Sequence, residues 1–279
     1  MCLKIRSLLY LFFLCAVSTL SATERIISLA PDLTETLYAL SLQDEIVAVS
    51  EFSNFPKEAQ KKQTIGTFMA PSLEKILYFK PTVIIAKRHA TPQHLLQKLR
   101  QSGIHLLEFK TQHEIDIFEM ILQLGKKFGK EQKAKRLCTS LKEMLFTIQN
   151  RVRNLEKPRV LIQIELVPPM FVGKQTLLDR AIELAGGMNA IQHHKGYPKL
   201  QKEAALQLNP DIILIPLTKG DENKSQDIQS SWKSWVSVPA VRHHRIFTMD
   251  GDLTTRAGPR FGEGIAHMAH LLHPTSVKK

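Results

Sequence analysis

Apolar positions recur at helical spacing over 130–157, where Ala134, Leu137, Leu141, Met144, Ile148, Val152 and Leu155 follow one another at steps of three and four. The stretch contains no proline or glycine, with Gly129 just before it and Pro158 just after. At 1.5 Å per residue such a helix would run roughly 40 Å, longer than most helices of globular proteins. Three roles compete for it. A coiled-coil seam needs patterned charges beside the heptads, and here the charge is mostly basic, from Lys130 to Lys157. A basic helix for nucleic acid is the second, but charge runs usually mark a solvated face. The third is a strut between two lobes, and the rest of the chain favours it.

Before this stretch the pattern alternates short apolar runs with helical ones. Arg25–Leu29, Ile46–Val49, Val83–Ala86 and Ile104–Phe109 read as buried strands. Asp32, with Glu35 three residues on, predicts an N-cap and a helix to about Leu40. Ser72 predicts the cap of a short helix ending near Phe79, before Pro81. Thr91 and Pro92 open a further helix, and Thr111 with Glu114 starts another that ends near Gly125–Gly129. After the long helix the grammar restarts. Strands are predicted at Arg159–Glu165, Ile212–Ile215 and Arg245–Met249, and helices at Thr176–Ala185 and Leu200–Leu208. Thr218–Gln229 is polar and reads as a surface loop, followed by Trp232 and Trp235 on a short helix whose rings belong to a core. Pro259 opens a last helix with Phe261, Ile265, Met268 and Leu272 on one face. Strand–helix alternation of this kind builds a parallel sheet covered on both faces.

The halves also match in detail. Residues 73–86 read LEKILYFKPTVIIA and residues 202–215 read KEAALQLNPDIILI. In each, a glutamate (Glu74, Glu203) precedes a proline by seven positions, and an apolar run begins two residues after that proline. Each half opens with an Arg-led strand, at Arg25 and Arg159. Two similar α/β lobes flanking the strut follow, and ligand sites lie preferentially between such lobes.

Composition narrows the picture further. The formal net charge is +12, which means only that anionic partners are not repelled. Residues 1–22 read as a secretory leader: Lys4 and Arg6, the apolar run Leu8–Val17, then small residues to Ala22. Lipid attachment at Cys15 is disfavoured by the bulk of Phe13 and Leu14. No other segment approaches eighteen apolar residues, so a soluble mature chain is expected. Cys138 alone would remain after cleavage, leaving no partner for an intramolecular disulfide.

No nucleophile elbow, phosphate-cradling loop or dinucleotide fingerprint is present. The pairs His193–His194 and His243–His244, and His89, read as exposed loop residues, because adjacent histidines do not converge on one ion. The loops holding Phe52, Phe68, Lys87–His89, Met170–Phe171, Tyr197 and Asp252–Arg256 follow predicted strands or precede the glutamate helices, which places them at a cleft. Flat aromatic groups with a few polar ones suit a large, partly planar, amphipathic ligand, although each aromatic could equally pack within a lobe.

RIISLAPDLTETLYAL, SNFPKEA, IGTF, SLEKILYFKPTVIIA, PPMFVGK, AGGMNAI, YPKLQKEAALQLNPDIILI and RAGPRFGEGIAHMAHLLHP occur in that order. This set resembles the class III periplasmic substrate-binding proteins of bacterial ABC importers, and within them the cobalamin binders. The resemblance spans essentially all of the chain after the leader. It implies an α/β fold of two doubly wound parallel-sheet lobes joined by one long rigid α-helix. The implied divisions are a signal peptide at 1–22, an N-terminal lobe at 23–129, the linking helix at 130–157 and a C-terminal lobe at 158–279. It implies a monomeric, non-enzymatic protein of the periplasm that passes cobalamin or another corrinoid to an inner-membrane permease, with no nucleic acid involved. Haem or a ferric siderophore is the alternative ligand, since those binders share the scaffold; a secreted α/β enzyme is the alternative from another class. The matching cleft positions are Phe52, Phe68, Met170 or its neighbour Phe171, Tyr197, Asp252 and Arg256. Lys87 stands where the cobalamin binders carry a tryptophan, which removes a stacking surface, adds a charge and keeps an anionic tetrapyrrole in play. Glu74 and Glu203 match the two glutamates that dock on permease arginines; the competing role for each is a first-turn acid favoured by the helix dipole.

Overall fold

The structure, a computed structural model, describes residues 24–218 and 222–274, so the leader expected at 1–22 lies outside the described residues. In chain order, β1 (Ile26–Ser28) leads through α1 (Pro31–Ala39) to β2 (Ile46–Val49). Three two-residue strands follow, β3 (Gln63–Thr64), β4 (Gly66–Thr67) and β5 (Ala70–Pro71), then α2 (Leu73–Tyr78), β6 (Val83–Lys87), α3 (Gln93–Gln101), β7 (His105–Phe109) and α4 (Glu114–Lys127). Helix α5 (Glu131–Val152) connects this half to β8 (Arg159–Glu165), β9 (Met170–Phe171), α6 (Leu177–Leu184), β10 (Met188–Asn189) and α7 (Lys202–Gln207). The chain ends with β11 (Ile212–Leu217), α8 (Glu222–Trp232), α9 (Pro239–Arg242), β12 (Ile246–Asp250), α10 (Gly251–Thr254) and α11 (Phe261–Leu272).

The first sheet runs β3-β2-β1-β6-β7 and the second β10-β8-β11-β12, with every one of these pairs parallel. In the first half β1 lies between β2 and β6, and in the second β8 lies between β10 and β11, so each half builds its sheet outward on both sides of its first strand. Alternate side chains of each strand feed opposite faces. Ile27, Leu29, Ile84 and Ala86 pack under α3, while Ile26, Val83 and Ile85 join a core that continues through α4, α5, α6 and α11 to Val160, Ile162, Ile212 and Leu214 of the second sheet. One apolar core thus reaches both halves through α5.

The internal repeat has a physical counterpart. The backbone N–H of Arg25 donates to Thr82 Oγ1 at 2.9 Å, and that of Arg159 to Asp211 Oδ2 at 2.8 Å. The Arg25 guanidinium donates to the carbonyl of Phe79 at 2.6 Å, and that of Arg159 to the carbonyl of Leu208 at 2.7 Å. These are the free carbonyls at the ends of α2 and α7, so each arginine closes the glutamate helix of its own half. Lys80 (φ 45) and Asn209 (φ 49) then take the left-handed turn into Pro81 and Pro210.

Helix α5 is shorter than its breaker-free window, because Arg153 to Leu155 unwinds before Pro158. Its buried stripe is Ala134, Cys138, Leu141, Leu145, Ile148 and Val152. Three of the positions expected on this face fall outside it: Leu137 is half-buried, Met144 is exposed, and Leu155 is half-buried beyond the helix end. Two neighbours decide where the stripe lies. A Cβ on Gly125 of α4 would strike Ala134, and one on Gly262 of α11 would strike Met144 and Leu141, so both helices approach α5 across glycine. This offsets the roughly 1 kcal/mol that an interior glycine costs relative to alanine.

Three local expectations need correction. Asp32 is not the N-cap of α1. Ala30 is, with Pro31 at the first helical position, and both Asp32 and Glu35 are buried. Helix α4 is capped by His113 and Asp116, not by Thr111 and Glu114; Asp116 Oδ2 accepts from the N–H groups of Gln112 at 2.8 Å and His113 at 3.0 Å. The polar stretch expected to be a loop is α8 from Glu222, held by fully buried Ile228 and Trp232 at helical spacing. Trp232 Nε1 donates to Gln163 Oε1 at 2.7 Å, and Trp235 packs half-buried on the same cluster, so both indoles are core.

Candidate functional site

Parallel strands in adjacent register bring their following loops together at one edge. Ser28 pairs with Ile85, so the loop after β1 lies beside Lys87 at the end of β6. In the second half, β11 and β12 pair to Leu217 and Asp250, setting Thr218 beside α10. Between these edges lies a cavity of about 520 Å³. From the first half it is lined by Ala30–Asp32, Phe52, Asn54, Phe68 and Lys87, and from the second by Thr218, Asp252, Thr255 and Arg256. Its size falls within the ordinary range for small-molecule sites.

Of the residues the sequence singled out as ligand contacts, Phe52, Phe68, Lys87, Asp252 and Arg256 come together here. Phe52 stands 61% exposed, with its backbone at φ 64, a left-handed conformation that a bulky residue adopts only when held. Its carbonyl is held by the Asn54 N–H at 2.9 Å and by Arg256 Nη2 at 3.1 Å. Phe68 is half-buried, on the turn between β4 and β5. Met170 and Tyr197 do not line the cavity. Both lie on the second half, where the segment around Pro198 bonds to β9: Met170 bridges to Lys199, and the Phe171 N–H donates to the Pro198 carbonyl at 3.0 Å. Phe171 is 0% exposed in the second core, so of the pair Met170–Phe171 only Met170 has surface to offer. Glu74 and Glu203 are exposed at the second positions of α2 and α7 and lie outside the cavity lining.

Lys87 departs from the expectation of a free charge. Its Nζ lies 2.6 Å from Asp32 Oδ2, and the Asp32 side chain is 2% exposed. A larger network crosses between the halves. Arg256 Nη1 donates to Glu35 Oε1 at 2.7 Å and to Asn54 Oδ1 at 2.8 Å, and its Nη2 to Asp252 Oδ1 at 2.6 Å. Arg260 donates twice to Glu35, at 2.9 and 2.7 Å, and its guanidinium lies 3.7 Å over the Phe55 ring. Asn54 Nδ2 closes the circuit on Asp252 Oδ2 at 2.8 Å. Burial disfavours the Arg260 charge, but its hydrogen bonds to Glu35 and the nearby carboxylates prevail, and its pKa lies above the usual arginine value.

Asp32, Glu35, Asn54 and Arg260 were not among the sequence-predicted site residues. The one available pointer was position, since Asp32 and Glu35 follow directly on a strand end. His89, His193, His194, His243 and His244 are all exposed, and no metal-holding group of His, Cys, Asp and Glu is found among the described residues. No helix among the described residues is long and apolar enough to cross a membrane.

Residues 26–253 match the family model described as periplasmic binding protein. An uncharacterized ABC transporter substrate-binding lipoprotein of Bacillus subtilis (strain 168) is 30% identical over 92% of this chain and 82% of its own length. Among solved structures, a periplasmic haem-binding protein of Roseiflexus sp. RS-1 in apo form superposes with a TM-score of 0.82 at 25% identity, covering 91% of this chain and 99% of the other. A periplasmic vitamin B12 binding protein of Vibrio cholerae does so with a TM-score of 0.80 at 26% identity, covering 92% and 98%.

Proposed function

The chain belongs to the periplasmic binding protein family, and on that footing we propose that this substrate-binding protein of an ABC importer captures cobalamin or a related corrinoid between its two halves. The chemistry of the cavity wall carries this reading. Phe52 and Phe68 supply flat apolar surface, and Asn54, Thr218, Thr255 and the paired charges supply hydrogen-bonding groups around it. A corrinoid is a flat macrocycle fringed with amide groups, and in cobalamin its metal carries its own axial ligands. Such a ligand needs stacking and hydrogen bonds from the protein, without a metal-ligating side chain. Vitamin B12-binding relatives, such as that of Vibrio cholerae, support the same choice.

The protein acts by binding and release, with no chemical step. It is exported by a cleaved leader and works as a monomer. Glu74 and Glu203 dock on the permease: each stands exposed on the second turn-forming position of a helix anchored by the same arginine device, one per half. A haem reading has comparable support: the haem-binding protein of Roseiflexus sp. RS-1 superposes as well as the vitamin B12 binder does, and half-buried Met170 and exposed Tyr197 carry thioether and phenol groups that can serve as axial ligands. Calorimetric titration with cyanocobalamin, haemin and a ferric siderophore tests the proposal. One-to-one cyanocobalamin binding supports it; tight haemin binding with no response to cyanocobalamin at tens of micromolar overturns it.

A further inference from the structure

The ionisable side chains in the cavity wall cancel: Asp32 and Asp252 against Lys87 and Arg256. Neither base is uncommitted. Arg256 is held by Asp252 and Glu35, and Lys87 by Asp32. The Lys87–Asp32 pair is lopsided, because the Lys87 side chain is 18% exposed and that of Asp32 only 2%. Both residues line the cavity, and Lys87 offers it more surface than its nearly inaccessible counter-ion does. An ammonium has three N–H donors, and one carboxylate oxygen at 2.6 Å takes one of them. The others can serve a neutral acceptor such as an amide carbonyl without disturbing the pair. A carboxylate brought to this wall meets a charge already paired at 2.6 Å, and the weak attraction left to it does not repay the cost of stripping its own water.

We propose that Asp32 is a specificity-determining residue, whose buried carboxylate neutralises Lys87 and makes the cleft select ligands that present amides, not carboxylates, to this wall. The inference rests on the corrinoid reading and narrows it: amide-bearing corrinoids are accepted and their carboxylate derivatives rejected. It also explains how a lysine can line this cavity without recruiting anionic ligands.

The test uses two pairs that share a scaffold and differ in carboxylate charge: cyanocobalamin with its monocarboxylic acid derivative, and haemin dimethyl ester with haemin. Wild-type protein is expected to prefer the uncharged member of each pair it binds by about tenfold, the size of a single unfavourable charge contact at a partly buried site. Asp32→Asn, which keeps the side-chain shape and frees the Lys87 charge, should move that ratio toward the acid by about the same factor. Asp32→Asn with Lys87→Gln removes both charges and should restore a preference for the uncharged member. If Asp32→Asn does not fold, judged by circular dichroism, Lys87→Gln alone leaves the buried anion uncompensated and should sharpen rejection of the acids. Equal affinity of wild-type protein for acid and neutral partner, or a ratio that none of these changes moves, overturns the inference and leaves the corrinoid reading standing. Binding of the porphyrin pair alone overturns the corrinoid reading, and the acid-to-ester ratio then decides the inference by itself. If none of the four binds, both are overturned.

Discussion

Glu35 is the most heavily used carboxylate in the contact between the halves, and its removal should be costly. It is 3% exposed and receives three charge-assisted hydrogen bonds, one from Arg256 and two from Arg260. In Glu35→Ala the two arginines fare differently. Arg256 keeps Asn54 Oδ1, the Phe52 carbonyl and Asp252 Oδ1, so its charge stays compensated. Arg260 keeps the face of Phe55 and the more distant charges of Glu263 and Asp250. Removing one partner of a buried pair costs about 3–5 kcal/mol, most of it the penalty of the orphaned charge. Because the Arg260 side chain is 17% exposed, water recovers part of that, and we expect about 3 kcal/mol. Urea unfolding of wild-type protein, Glu35→Ala, Arg260→Ala and the double variant measures it, with an unchanged denaturant slope as the check that the unfolded state is the same. Contacting partners in one network should show a coupling of about 1–3 kcal/mol. A loss below about 1 kcal/mol for Glu35→Ala, or additive single changes, would show that the network behaves as an exposed ion pair and does not tie the halves together.

Phe68→Ala should weaken cyanocobalamin binding by about 1–3 kcal/mol in calorimetry if the ring meets ligand; unchanged affinity would assign the ring to lobe packing. Glu74→Ala and Glu203→Ala should leave ligand affinity and melting temperature nearly unchanged while lowering uptake in cells, the double change more than either single one. Normal transport by the double variant at native expression would reduce both residues to helix-start acids. Stability should also depend on His273, where burial and the Arg245 charge hold the pKa below its ordinary value against the opposing hydrogen bond to the Gly186 carbonyl. The unfolded chain then binds the extra proton first, so this contribution is complete above about pH 6.5 and is lost as pH falls through the depressed folded value. Urea midpoints between neutral pH and pH 5 should decline less steeply in His273→Gln, and identical slopes would contradict the assignment.

Much of the architecture was legible along the chain because it depends on short-range order. Strand–helix alternation, breakers at Gly129 and Pro158, and the matched segments ending at Pro81 and Pro210 are local, and the parallel windings follow from them. The face of α11 was equally readable: Phe261, Ile265, Met268 and Leu272 are all buried, as a 3.6-residue period requires. Helix α8 escapes a sequence reading because, among its described side chains, Ile228 and Trp232 are the fully buried ones, too few apolar positions to register as a period.

Which charges are buried, and against what, was decided by tertiary structure alone. Asp32 and Glu35 have the local appearance of a helix start, and any capping rule reads them so. Glu35 instead meets Arg256 and Arg260, 221 and 225 positions further along the chain, and Asp32 meets Lys87 at a separation of 55. Capping is settled within one helical turn, whereas a buried ion pair exists only where the folded path delivers the opposite charge and excludes water. For the same reason Lys87 read as an added charge in the sequence and is a neutralised one in the fold.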